Sequence, residues 1–321
     1  MMRTPFIILL IAALIGLAAL PACAPTPTLR VGSNPWPGYL GLYHARDLGL
    51  FDGHPIQLVD FDNTEDVLRA FRNRAIDAAA VTLDEALHLA ESGQALRIIL
   101  VFSLSNGADV VLARAGIDTP QQLRGRRLGV ETGALGAYML ARLLERGGLS
   151  AHDLHIIHLP LQEHETAFRE GRVDAVITFD PQRSRLLADG AQEIFSSRDL
   201  PGEIVDVLVV REDVLHSHRA ALAALADAYF HALNLLQHDP AAAAPALARR
   251  INLDAANLQA TWRLMELNDR SANQVLLGGG PDSLQPTIGR LRQIMLDTGL
   301  LAHPFAGDVR LDNQLLENWQ P

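Results

Sequence analysis

The sequence predicts an α/β protein built from two related lobes with a helical tail. Three observations carry that expectation. Short apolar runs alternate with amphipathic stretches, as the strands and helices of parallel sheets do. A set of short motifs recurs once, at a spacing of 97 residues. The chain of 321 residues, 49% of them hydrophobic, is long enough to bury two modest cores.

The repeat comes first because it organises the rest. Arg30-Val31-Gly32 recurs as Arg127-Leu128-Gly129. Ala70-Phe71-Arg72 with Asp77-Ala78 recurs as Ala167-Phe168-Arg169 with Asp174-Ala175, and Asp109-Val110 recurs as Asp206-Val207. One match would be chance, but three in order at one offset predict two copies of a unit. The unit is far longer than a solenoid repeat, so each copy reads as a small domain. A slip of one residue then pairs Thr82-Leu83-Asp84 with Thr178-Phe179-Asp180.

Within each copy the elements follow in order. Leu29–Ser33 and Arg127–Val130 read as strands ending at turn-compatible residues. Leu135, Met139, Leu140, Leu143 and Leu144 share one helical face, and Gly147-Gly148 stops that helix. Ile156–Leu159 is a further strand, Glu163–Glu170 a short helix and Val173–Thr178 another strand. Asp109–Arg114 and Asp206–Arg211 share one pattern and close the two copies. If they cross between lobes they form a two-stranded hinge; otherwise they are plain central strands. The expected division puts residues 29–108 and 207–321 in the first lobe and 109–206 in the second. After Arg211, Leu222, Leu225, Ala226, Tyr229, Phe230, Leu233 and Leu236 recur at helical spacing. Asp239-Pro240 ends that helix and opens another. Such a tail is expected to strap the first lobe.

Arg3, followed by the apolar run Phe6–Leu20, reads as a secretory signal. The run is too short for a comfortable membrane span. It leads to Leu20-Pro21-Ala22-Cys23, which resembles a bacterial lipoprotein box, and Cys23 is the chain's one cysteine. The expectation is cleavage after residue 22, lipidation of Cys23 and a short tether over residues 23–28. The rival is an ordinary signal peptide with an incidental Cys23. No second long apolar stretch follows, so the body is expected to be soluble, monomeric and held at a membrane by its lipid.

Composition excludes several chemistries. The net charge is −10, and no basic cluster offers a phosphate-binding surface, so no nucleic-acid partner is expected. All 27 basic residues are arginine. A Schiff-base lysine and a P-loop are therefore out. One cysteine makes neither an internal disulfide nor a thiolate zinc site. His152, His155 and His158 would share a face on a helix, but their segment reads as a strand. No catalytic motif, metal site or cofactor is expected.

The stretch Val31-Gly-Ser-Asn-Pro-Trp-Pro-Gly-Tyr39, followed by Ala45-Arg-Asp-Leu-Gly-Leu-Phe51, resembles the start of solute-binding proteins of the nitrate/sulfonate/taurine group of ABC transporters. Asp77–Leu87, Ser105–Asp109, Gly129–Gly133, Val173–Pro181 and Asp206–Arg211 resemble that group as well. The resemblance runs from about Leu29 to Arg211. It implies a two-lobed periplasmic-binding-protein fold (type II) with two crossovers, and an ABC permease as partner. One departure is Asp180-Pro181-Gln182, where many relatives carry acid-Pro-Trp.

In open α/β sheets ligands bind beyond the carboxyl ends of the strands. That rule selects five loops: Ser33, Asn34, Trp36 and Tyr39; Thr82, Asp84 and Glu85; Ser105, Asn106 and Asp109; Glu131, Thr132, Gly133 and Ala134; and Thr178, Phe179 and Asp180. Trp36 and Tyr39 offer flat apolar faces with a polar edge. Thr82 and Asp84 suit a helix cap equally well. Small residues at 132–134 leave helix amides open to an acidic group. The loops hold five carboxylates and no arginine, which favours an amine-bearing or zwitterionic ligand over a bare oxyanion. The functional expectation is a non-catalytic solute-binding lipoprotein of the periplasm, delivering a small polar molecule to an ABC permease. The alternatives are a sensor presenting occupancy to a membrane receptor, and an enzyme on the same fold.

Overall fold

The computed structural model describes residues 27–131, 133–302 and 304–316. The signal segment, Cys23 and Thr132 lie outside the described residues.

The strands in chain order are β1 (Leu29–Ser33), β2 (Ile56–Asp60), β3 (Ala78–Thr82), β4 (Ala95–Ser105), β5 (Val110–Ala113), β6 (Arg127–Val130), β7 (His155–His158), β8 (Ala175–Thr178), β9 (Gln192–Ser196), β10 (Val205–Arg211), β11 (Met265–Leu267) and β12 (Asp308–Leu311). The helices are α1 (Leu40–Asp47), α2 (Thr64–Arg72), α3 (Leu83–Ala90), α4 (Ala134–Gly147), α5 (His164–Arg169), α6 (Gln182–Ala188), α7 (Glu212–Ser217), α8 (Arg219–His238), α9 (Pro240–Arg250), α10 (Ala255–Trp262), α11 (Arg270–Leu276) and α12 (Gln285–Asp297).

Their ends follow local chemistry. Asn63 caps α2 by accepting from the Asp66 amide, and Asp239 with Pro240 opens α9. Gly148 ends α4 in the left-handed region at φ 59°. That conformation is costly for a residue with a Cβ.

Two sheets result. The first runs β11-β4-β10-β3-β1-β2, with β12 also on β4; the second runs β7-β6-β8-β5-β9. The order β2-β1-β3-β10 thus matches β7-β6-β8-β5, element for element in the repeat. The fifth and last strand of each copy has changed sheets: β5, from the first copy, completes the second sheet, and β10 returns to complete the first. Both exchanged strands run antiparallel to their hosts. The physical reason is the place of crossing. The chain leaves β4 and β9 at the carboxyl ends of the parallel strands, so a strand that enters there must run back.

The exchange corrects the expected hinge. Asp109–Arg114 and Asp206–Arg211 do not pair with each other; they lie in different sheets as central strands. The crossings are the segments just before them, residues 106–109 and 197–204, which lie side by side. Ser197 Oγ accepts from the Gly107 amide at 2.6 Å and lies 2.8 Å from Ser105 Oγ. The Ser105 amide donates to Ile204 O, and the Ser197 amide to Asp109 O, both at 2.9 Å.

The repeat is legible at the level of atoms. Arg30 grips Asp77 with Nε and Nη2 at 2.8 and 2.9 Å, and Arg127 grips Asp174 the same way at 3.0 and 2.7 Å. Arg211 lies 5.0 Å over the Phe71 ring, and Arg114 lies 4.7 Å over Phe168.

The second sheet is apolar on both faces: Val111, Leu123, Met139 and Leu143 pack on one side, Leu112, Phe168, Val176 and Leu186 on the other. The larger cluster of the first sheet takes in α8, and it also takes in Tyr138, Leu161 and Phe179 from around the second sheet. The tail after Arg211 is helical as expected, but it adds β11 and β12 to the free edge of β4. Runs of three and four residues carry too little periodicity to announce themselves. No helix among the described residues is long and apolar enough to cross a membrane.

Candidate functional site

The carboxyl ends of β1, β3 and β8, the start of α4 and the starts of β5 and β10 meet at one small buried cavity. The first lobe gives Asn34, Trp36, Tyr39, Thr64, Thr82 and Glu85 to its wall. The second gives Leu135 and Phe179, and the strand starts after the crossings give Asp109 and Asp206. The cavity measures about 10 Å³, room for about one water. An organic guest therefore requires the lobes to part. A groove of about 890 Å³ lies outside the first lobe, between α8 and Arg270. It is lined by that lobe alone, away from the strand ends.

Asp206 organises the aromatic wall. Trp36 Nε1 donates to its Oδ2 at 3.0 Å, Ser103 Oγ to the same oxygen at 2.5 Å, and Tyr39 Oη to Oδ1 at 3.3 Å. Pro37–Tyr39 form a 3-10 turn that presents these rings. Gly38 is required by close approach: a Cβ there would stand 2.5 Å from Trp36 Nε1 and 2.8 Å from Ser103 Oγ. Trp36 meets Phe179 edge to face across the two lobes, with centroids 5.3 Å apart. From the tail, Trp262 donates its indole N–H to Pro37 O at 3.2 Å.

Around this wall the carboxylates crowd. Glu85 Oε2 accepts from the Thr82 amide at 2.8 Å at the start of α3, a capping role that the sequence reading gave to Thr82 or Asp84. Thr82 itself lines the cavity. Burial raises Asp84, and burial with repulsion from Asp84 raises Glu85. Burial, reinforced by Asp206, Asp84 and Asp180, pushes Asp109 up to about 7. Burial likewise takes Glu131 up to about 7, and takes Asp206 up to about 6 against its three donors.

The five predicted loops do converge here, but unequally. Asn34, Trp36, Tyr39, Thr82, Glu85, Asp109 and Phe179 reach the wall. Of the other described residues of the loops, none lines it. Ser33 is buried against Tyr43 Oη at 2.5 Å, and Ser105 bonds Ser197. Thr178 bonds His164, whose burial pulls its imidazole down to about 4. Asp180 accepts from the Ser184 amide at 2.8 Å and from the Thr261 hydroxyl, tying α6 to α10. Asn106 is exposed, and Gly133 caps α4 beside half-buried Glu131. Asp84 is buried behind the wall with one oxygen unpartnered. His155 and His158 stand at the two ends of a strand, not on a helix face. No metal-holding cluster of His, Cys, Asp or Glu occurs among the described residues.

Sequence reasoning missed Thr64, Leu135 and above all Asp206 as wall residues. A signal for Asp206 was available: it is the repeat partner of Asp109, 97 residues on.

Residues 22–252 match the NMT1-like family, well over half of the chain. The chain belongs to that family. It is 25% identical over 172 residues to the putative aliphatic sulfonates-binding protein of Escherichia coli, covering 52% of this chain and 53% of that one. It is 21% identical over 170 residues to the taurine-binding periplasmic protein of the same organism, covering 52% of each. The chain thus spans about half the length of the curated relatives it matches. Among solved structures it resembles the alkanesulfonate-binding protein SsuA of Xanthomonas axonopodis pv. citri bound to MOPS, with a TM-score of 0.72 and 20% identity, covering 89% of this chain and 98% of that one. This member of the NMT1-like family therefore has the two-lobed periplasmic-binding-protein fold.

Proposed function

We propose that this chain is the extracytoplasmic solute-binding component of an ABC importer. It closes two lobes around a small polar organic molecule and presents it to a permease in the inner membrane. The observation that carries the reading is the cavity wall itself: both lobes contribute to one polar, aromatic-lined space, with Asp109 and Asp206 from where the chain emerges from the two crossings. A site shared by two lobes makes ligand binding and closure one event. The likeness to periplasmic sulfonate- and taurine-binding proteins supports it. Binding without turnover is the chemistry this wall suits, since its groups hold and orient but none is arranged as a nucleophile with its base. We further propose the periplasm as location, a lipid anchor at Cys23, and a division into residues 29–108 with 207–321 and residues 109–206.

Native mass spectrometry of protein purified without added solute is the direct test. A bound small molecule of defined mass is expected, and its removal should enlarge the radius of gyration in X-ray scattering. A chain that carries no solute and keeps one radius with every solute offered would overturn the reading.

A further inference from the structure

The chemistry of the solute can be read from which hydrogen-bonding valences the wall leaves open. Three wall donors are engaged within the protein: Trp36 N–H and Tyr39 O–H are given to Asp206, and one N–H of Asn34 Nδ2 to Thr64 Oγ1 at 2.8 Å. At the wall carboxylates the open valences are acceptors. Asp109 Oδ2 belongs to a wall residue 3% exposed and has no hydrogen-bond partner, while the Ser105 hydroxyl stands beside the same carboxyl; Thr82 Oγ1, on a wall residue 4% exposed, turns its O–H toward Asp84 and Glu85 and leaves its acceptor side open. Asp84 Oδ2 and Glu131 Oε1 nearby are unpartnered too. No arginine or histidine lies on the wall among the described residues. Arg142 is taken by Glu203, and Arg183 lies between Asp180 and Glu193. A buried acceptor without a donor is costly, and a carboxylate more so than a hydroxyl. A guest that brings N–H groups and positive charge removes that cost; a guest that brings another anion adds to it.

We propose that the cleft takes an organic cation, a protonated amine or amidine, whose N–H groups are received by Asp109 and Thr82. Asp84 and Glu131 supply the surrounding negative field. Asp206 holds the aromatic wall and is a positioning residue. This deepens the solute-binding reading and rests on it. The sulfonate- and taurine-binding relatives do not share the assignment by name, and taurine carries both signs of charge.

The place of Asp109 gives the assignment a mechanical side. Its carbonyl accepts from Ser197 in the opposite crossing. The residue that receives the cation therefore sits on the pivot, and binding is felt where the lobes turn. The groups facing Asp109 are the Ser105 hydroxyl, Asp206, Asp84, Asp180 and the Tyr39 hydroxyl, with Glu85 and Glu131 beyond. All are acids or neutral, so a cation entering among them drives Asp109 toward its ionised form and expels a proton.

The test is calorimetric titration of the full-length chain with four probes: putrescine, agmatine, taurine and butanesulfonate. Titrations run in two buffers of different ionisation enthalpy, to read protons gained or lost. The expected result is binding of putrescine or agmatine with proton release, and affinity rising about tenfold or more from pH 5 to pH 8. Asp109→Asn should weaken that binding at least about thirtyfold, and Thr82→Val about tenfold. Failure of both amines to bind overturns the cation assignment, as does butanesulfonate binding with proton uptake that Asp109→Asn leaves unchanged. The solute-binding reading survives those outcomes if any probe closes the lobes in scattering, or if a solute co-purifies; it falls only if neither happens.

Discussion

Trp36 donates its indole N–H to Asp206 at 3.0 Å, joining residues 170 positions apart in the chain. The contact binds the first strand-end loop to the strand that returns from the second lobe. It stands only because Gly38 leaves the indole and Ser103 room to reach the same carboxylate. Gly38→Ala should push both donors off Asp206. The expected cost is about 1–3 kcal/mol in chemical denaturation, the usual range for a buried acceptor losing partners. Ligand affinity should fall in parallel, read by calorimetry.

Ser197 is the pin between the crossings, fully buried and bonded to Gly107 and Ser105. Ser197→Ala should cost about 1–2 kcal/mol in stability. It should also widen the range of lobe separations seen by scattering. An unchanged scattering profile beside an unchanged melting point would show that the crossings turn independently.

Arg211 is buried, lies over Phe71, and donates to Ile76 O at 3.1 Å and to Asp77 Oδ1 at 3.4 Å. Its repeat partner Arg114 is only partly buried. Arg211→Met should therefore destabilise by about 2–4 kcal/mol, and Arg114→Met by about 1 kcal/mol. Equal losses at the two sites, measured by urea titration, would mean that burial does not set the difference.

The raised acids give stability a definite pH slope. Asp109 and Glu131 reach about 7 and Asp206 about 6 in the folded state, above ordinary carboxylate values. At these acids the folded chain thus holds more protons than the unfolded chain between about pH 4 and pH 7, opposed by buried His164, which holds fewer in that window. Their contribution is present in full at the acid end of that window and is lost as pH rises through 6 to 7. The unliganded protein should melt several degrees lower at pH 8 than at pH 5, and Asp109→Asn should flatten the slope.

Cys23→Ala should release the protein from the membrane fraction into the soluble envelope fraction. Membrane association that persists in this variant would remove the lipid anchor from the account.

Most of the fold was legible because the sequence repeats itself. Arg30 with Asp77 and Arg127 with Asp174 mark the same strand and turn twice, and the structure builds the same fork at both. The exchanged strands were legible as elements but not as neighbours. Nothing in Asp109–Arg114 or Asp206–Arg211 states which sheet it joins, since any central strand of Val and Leu reads alike. The site was legible as a set of strand ends. Which carboxylate faces the cavity and which caps a helix was not, because Asp84, Glu85 and Asp180 suit either use. Their partners decide it, and one of the two donors to Asp180 is Thr261, 81 residues away. Asp206 escapes the strand-end rule because it opens a strand that runs back from the crossing, antiparallel to β3, even though it is the repeat partner of Asp109.

The strand exchange also sets a timetable for the emerging chain. All five strands of the second sheet lie between residues 110 and 196, so that sheet can close early. The first sheet begins at Leu29 yet needs Val205–Arg211 to fill the gap between β3 and β4. Until those seven residues arrive, two apolar strands wait with open edges, and such edges recruit other chains. A chain made from its N-terminus thus delivers these open edges first and their cover last. The lobe that is made first is finished second, and its survival in that interval depends on holding factors or on speed.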